Sequence, residues 1–292
     1  GALHLVMRAH AADLASLLER PAGPSWLRPH ASRLAAELFD ALRHLHDDHR
    51  IVHSDLKPSN LLIDSAGDLR LCDLGAAARV DGGRSTLVGA PAYLAPEVVA
   101  ISHLGLLGAQ YSFPADLWSC GVILCELLTG CLPFPASARD PAAQPAAICF
   151  RPPTLGDASL DNSTADDAAA AGGCAMPRDA RSLILSLLSK QAYLRPTAVE
   201  AAEASFVKLA PPADEGDGFT AWLLAPPADR SLDVEDGDAC PRTPAPLVGT
   251  QRRAEGGGPN GLATPPSSGG ARSSGCNTSS SVVSWASSLV EE

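Results

Sequence analysis

The sequence predicts an α+β fold that is mainly α-helical, with short β-hairpins around one polar cluster and a disordered C-terminal tail. Three observations predict it. Apolar residues recur at three- and four-residue spacing over residues 29–49, the pattern of one buried helix face. Two short runs, Leu61-Leu62-Ile63 and Leu69-Arg70-Leu71, flank the small, polar turn Ser65-Ala66-Gly67-Asp68, which is the pattern of a hairpin. From about Pro211 onward Pro, Gly, Ser and Asp dominate, and such a segment buries too little apolar area to offset its ordering entropy. The chain therefore divides into a domain over residues 1–210 and a tail over residues 211–292.

The elements follow in order. Residues 3–7 read as a short strand and residues 11–20 as a helix, with Asp13 near its start. The helix over residues 29–49 carries Leu34, Leu38, Ala41, Leu42 and Leu45 on one face. Its end holds His44, His46 and His49. A metal site is the sharper reading of that cluster; helix-end imidazoles favoured by the dipole are the plainer one, and we prefer it. Ile51 and Val52 lead into a polar loop, and the hairpin then brings Asn60 and Asp73 back to one end. Residues 73–97 form a long loop with Gly82-Gly83 near the middle, a length usual only for functional or disordered segments. Residues 117–134 are the longest apolar run. They contain Glu126 and follow Asp116, so a buried core helix is expected rather than a membrane span. Residues 136–177, rich in Pro, Ala and Asp, read as a mostly flexible insertion. Short amphipathic helices are expected over residues 182–190 and 198–208.

The chemistry concentrates in His53-Ser54-Asp55-Leu56-Lys57-Pro58-Ser59-Asn60 and, after the hairpin, Asp73-Leu74-Gly75. Phosphoryl transfer from Mg-ATP to a hydroxyl needs a carboxylate to orient the acceptor and take its proton. It also needs a cation near the moving phosphate and oxygen ligands for the metal. Asp55, Lys57, Asn60 and Asp73 supply these in turn.

These residues resemble the protein kinase signature, H-R-D-x-K-x-x-N followed by D-F-G. Ala95-Pro96-Glu97, Asp116-Leu117-Trp118-Ser119-Cys120-Gly121 and Leu194-Arg195-Pro196-Thr197 resemble later motifs of that family, in the family's order. The resemblance covers roughly residues 1 to 210 and implies a kinase-like C-lobe. It implies Asp55 as catalytic base, with Lys57 and Asn60 beside it, and Asn60 and Asp73 as Mg²⁺ ligands. ATP would also meet the hinge backbone at Arg8, Ala9 and His10, with Asp13 close by, and the acceptor would be a protein serine or threonine. Asp116 is expected to bond the loop backbone near His53, and Glu97 to pair with Arg195.

Three departures from the family pattern stand out. Ser54 replaces the usual arginine that meets an activation-segment phosphate, so activity is expected to be independent of phosphorylation there, although Ser85 and Thr86 are available. Leu74 replaces phenylalanine and is expected to keep an apolar contact with less bulk. Ala90 stands where serine/threonine kinases often carry threonine. The segment Gly1 to Met7 resembles the last strand before the hinge, and no Gly-rich loop or strand lysine precedes it. The expectation is a fragment, a C-lobe inactive without an N-lobe. The alternative is a non-catalytic, pseudokinase-like module that docks a partner through the tail or the exposed lobe interface.

Composition limits the other classes. A net charge of −11 argues against a nucleic-acid partner, which calls for a basic face. The eight cysteines contain no C-x-x-C pair, which makes a zinc site of that kind improbable. Their scatter suits a reducing compartment, and a cytoplasmic location is expected.

Overall fold

The computed structural model describes residues 8–20, 22–80, 90–104, 112–136, 143–155, 176–208 and 218–225. The strand expected over residues 3–7 lies outside them, as do Ser85 and Thr86. The described part is mostly helical with few short antiparallel strands, a kinase-like C-lobe.

The chain opens with β1 (Ala12–Asp13), α1 (Leu14–Leu18), α2 (Gly23–Leu27) and α3 (Ala31–Arg43). A helix over residues 11–20 is therefore not what forms. Its first residues pair with a later strand instead, and the Asp13 carboxylate caps α1 by accepting from the Ser16 N–H at 2.9 Å. The long helix expected over residues 29–49 is also shorter. A 3₁₀ turn (Arg28–His30) precedes α3, and a π-type turn (His44–Asp48) follows it. The face predicted for α3 is the buried one: Leu34, Leu38 and Leu42 are fully covered, together with Ala31, Ala35 and Phe39.

The strands β2 (Ile51–Val52), β3 (Leu61–Ile63), β4 (Leu69–Leu71) and β5 (Ala78–Arg79) make two small antiparallel sheets. In one, β3 lies between β1 and β4, with Ala12 opposite Ile63 and Leu61 opposite Leu71. In the other, Ile51 faces Arg79 and Val52 faces Ala78. The predicted hairpin is present. Strand β5 falls inside the loop expected over residues 73–97.

The second half is built on α5 (Pro114–Thr129), whose Leu117, Trp118, Val122, Ile123, Leu124 and Leu127 are all buried. It packs against α7 (Arg178–Leu187), while α4 (Pro96–Leu104) packs on α6 (Gln144–Phe150). Gly121 sets the α5–α7 approach: a Cβ there would sit 2.9 Å from the Leu187 Cβ. Helix α6 lies in the segment read as a flexible insertion. Ile148 and Cys149 give it an apolar face that the surrounding Pro and Ala obscure.

The helix expected over residues 182–190 begins earlier, at Arg178. The helix expected over residues 198–208 is two, α8 (Ala198–Ala202) and α9 (Ser205–Lys208). Finally, α10 (Phe219–Leu224) lies in the stretch read as tail, yet Phe219 and Leu223 are 2% and 1% exposed. Phe219, Trp222 and Leu223 form one stripe at helical spacing, which averaged composition hides. Trp222 stacks on Trp26 at 5.7 Å, and Arg20 donates to the Trp222 carbonyl at 2.8 Å.

The thiols give the fold an alkaline limit. Burial pushes Cys125 up to about 12 and Cys149 up to about 11, and it pushes Cys120 and the Tyr93 phenol up as well. An unfolded thiol ionises near 9.0, so the folded state holds protons that the unfolded chain releases. Their contribution is complete below pH about 9 and is lost as pH rises further. Lys190 runs the other way. Burial holds its amine down to about 8, against 10.5 unfolded. A penalty present below the folded value is relieved as pH climbs towards the unfolded one. The thiols and the phenol outnumber the amine. The urea midpoint is expected to fall above about pH 9, with Cys125→Ala flattening that fall and Lys190→Met steepening it.

Candidate active site

The polar loop between β2 and β3 is held from below by one carboxylate. Asp116, in the first turn of α5 and 1% exposed, accepts from the His53 N–H at 2.8 Å and the Ser54 N–H at 2.9 Å. This is the bond expected near His53. The same carboxylate meets His46 Nε2 at 2.9 Å. Sequence reading placed His46 among the helix-end imidazoles, because its partner stands seventy positions away. The structure buries it instead.

His53 joins this loop to the segment carrying Asp73. Its Nε2 bonds the Cys72 carbonyl at 3.0 Å, and its Nδ1 accepts from the Asp55 N–H at 3.3 Å. The two contacts fix one tautomer, with the proton on Nε2. The Cys72 N–H in turn donates to the Asn60 carbonyl at 3.0 Å. The hairpin thus brings Asn60 and the residue before Asp73 into contact across the strand ends.

Within the loop, three of the predicted residues converge. The Lys57 ammonium lies 2.6 Å from Asp55 Oδ2. Asn60 Nδ2 donates to the Asp55 carbonyl at 2.8 Å and to Oδ2 at 3.2 Å. Asp55 Oδ1 is buried and has no hydrogen-bond partner among the described residues. Asp73 has φ 65° and ψ 74°, a left-handed conformation that aspartate tolerates, and its Oδ1 accepts from the Gly75 N–H at 3.1 Å.

Of the hinge-side residues, Asp13 borders this cluster, because β1 packs against the Pro58–Asn60 turn that carries Asn60. Arg8 and Ala9 are exposed, His10 is half-buried, and Asp13 lies in β1 beside β3. Ser54, another left-handed residue at φ 70°, has a buried Oγ without a partner among the described residues.

Behind the site, Arg195 and Glu97 form the expected pair. It is bidentate, at 2.6 and 2.7 Å, and buried on both sides. Arg195 also donates to the carbonyls of Ser189 and Pro114 at 2.8 and 2.9 Å.

This set can orient a hydroxyl at a carboxylate, place one ammonium beside it, and present amide and carboxylate oxygens to a hard cation. The sequence matches the protein kinase domain family over residues 2–207, and the chain belongs to that family. It is similar to CBL-interacting protein kinase 22 of Oryza sativa subsp. japonica, 40% identical over 143 residues, which cover 45% of this chain and 30% of that protein. It is 42% identical over 113 residues to a cGMP-dependent protein kinase of Toxoplasma gondii, covering 39% of this chain and 11% of the relative. Over 109 residues it is 37% identical to dual specificity protein kinase FUZ7 of Mycosarcoma maydis, covering 37% and 23%. The chain spans less than a third of the length of each of these relatives.

Among the described residues, no helix is long and apolar enough to cross a membrane.

Proposed function

We propose that this chain carries the catalytic residues of a serine/threonine protein kinase, which moves the γ-phosphoryl group of ATP to a protein hydroxyl. The observation that carries this reading is the asymmetry of Asp55. Oδ2 is tied to Lys57 and Asn60, while Oδ1 is buried and without a partner among the described residues. A carboxylate locked by one oxygen and open at the other is arranged to hold an acceptor hydroxyl and take its proton.

Lys57 neutralises charge on the moving phosphate. Asn60 spends its amide N–H on Asp55, which leaves its Oδ1 as the atom to present to an ion. Asp73 adds a carboxylate, so the donor set fits a hard, oxygen-seeking Mg²⁺. That ion supplies charge neutralisation at the phosphates when bound. The hinge backbone at Arg8, Ala9 and His10 is the adenine side, with Asp13 next to it. A cytoplasmic location and protein substrates belong to the same reading.

A lysine two residues after the aspartate resembles the serine/threonine branch. A non-catalytic module that binds a partner is the second reading, and Ser54 and Ala90 are the residues that favour it.

The test uses the protein isolated at its native length, with its intact mass read first. It is incubated with Mg-ATP and a peptide library holding serine, threonine and tyrosine. Phosphoserine and phosphothreonine are the expected products. Phosphotyrosine would overturn the specificity, and ATP binding without transfer would favour the module.

Ser54 adds an expectation. A serine has no charge to pair with a phosphate. Ser85→Glu and Thr86→Glu are therefore expected to leave turnover within about twofold, against the 10³-fold scale on which charge clamps act in this chemistry. A strong rise in either variant would refute this.

A further inference from the structure

We propose that His44 and His49 form a chelate for one transition-metal ion of the zinc, nickel or copper class at the C-terminal end of α3. The placement starts from the backbone. In a regular α-helix, residues five apart point well away from each other. Here the five residues after α3 form a π-type turn, His44–Asp48, and the wider turn brings positions five apart onto one side. The two Nε2 atoms lie 3.1 Å apart, and the ring planes meet at 89°. An ion bound to two imidazoles at the usual zinc–nitrogen distance, with a bond angle near 90–110°, needs those nitrogens about 2.9–3.4 Å apart. The bite of the chelate is already set.

Asp48 supports the assignment. Its Oδ2 lies 2.7 Å from His44 Nδ1. A carboxylate on the far nitrogen of an imidazole puts the proton on Nδ1 and leaves the Nε2 lone pair for a metal, the usual outer partner of a metal-bound histidine. His44 and Asp48 have side chains 61% and 52% exposed, and His49 is exposed too, so an ion reaches the pair from solvent.

Without an ion, the 3.1 Å contact is a hydrogen bond in which His49 Nε2–H donates to His44 Nε2. Binding replaces that proton. It leaves Nε2 while Nδ1 of the same ring takes one up, through solvent, so both rings stay neutral. His46 takes no part, since it is buried against Asp116.

This site differs in chemistry from Asn60 and Asp73. Imidazole nitrogens favour zinc, nickel and copper, whereas oxygen donors alone favour magnesium. Among the described residues, no group of three or more His, Cys, Asp or Glu is placed to hold one metal ion together. The remaining positions on the ion therefore go to water.

The test is a titration of tag-free, native-length protein with Co²⁺ in a non-chelating buffer, followed by visible absorption. One saturating equivalent is expected, without thiolate charge-transfer bands. His44→Gln and His49→Gln should each weaken binding at least about tenfold, and Asp48→Asn about 10- to 100-fold, as loss of an outer-shell partner does. Cys131→Ser should change nothing. The His44, Asp48 and His49 side chains are exposed, Cys131 is half-buried, and circular dichroism checks that each variant is folded. Binding that survives in both histidine variants, absorption of cobalt–thiolate type, or a titration that does not saturate would each overturn the assignment.

Discussion

Asp55→Asn is expected to lower phosphoryl transfer by about 10²- to 10⁴-fold, the range typical for loss of a positioned general base. The asparagine carbonyl can still accept from Lys57 in place of Oδ2. Its amide then faces the acceptor where Oδ1 stood, and an amide cannot take a proton. The loss should therefore fall on kcat, with the KM for ATP nearly unchanged, because Asp55 lies on the hydroxyl side of the proposed site. Steady-state kinetics of the native-length protein measure this split. A loss below about tenfold would show that another group takes the proton.

The largest stability effect is expected from Glu97→Ala. Arg195 would keep its bonds to the Ser189 and Pro114 carbonyls but would remain a buried charge without a counter-ion. Breaking one side of a buried pair typically costs about 3–5 kcal/mol, a large part of the roughly 5–15 kcal/mol that holds a domain folded. Urea unfolding with an unchanged slope should show it as a shift in midpoint. Glu97→Met combined with Arg195→Met should recover part of the loss, because the pair's desolvation cost goes with the charges. A shift under about 1 kcal/mol in the single variant would mean that water reaches the guanidinium.

The sequence disclosed what depends on near neighbours and on spacing. The face of α3 was readable because its leucines recur at helical intervals. The β3–β4 hairpin was readable because its turn is short and polar. The Asp116 bond to the loop and the Glu97–Arg195 pair came from motif resemblance, since nothing local in the chain joins residues 98 positions apart.

What escaped depends on contacts that pattern does not encode. The Ala12–Asp13 segment has no strand periodicity at two residues, and it is a strand only because β3 offers it a partner. His46 is an ordinary helix-end residue by sequence and a buried one by packing. Helix α6 has only two well-buried apolar residues within Pro- and Ala-rich surroundings. The break between α8 and α9 falls at Glu203 and Ala204, neither of which forbids a helix. In the candidate site, the residue types were visible in sequence. The direction of the Asp55 oxygens and the left-handed backbone at Ser54 and Asp73 were not.

Helix α10 bears on how this protein should be handled. A shortened version ending at residue 210, where composition changes, or at 207, where the family match stops, would strip α10 from its seat. Trp26, already 38% exposed with the helix in place, would lose its stacking partner. His30 would lose the Phe219 ring 4.0 Å away, and the Gly67 turn would lose the same ring as its cover. An aromatic patch bared in this way invites self-association. The trimmed protein should precipitate or run as a broad, concentration-dependent species in gel filtration, while one ending at residue 225 or later should elute as a single sharp peak.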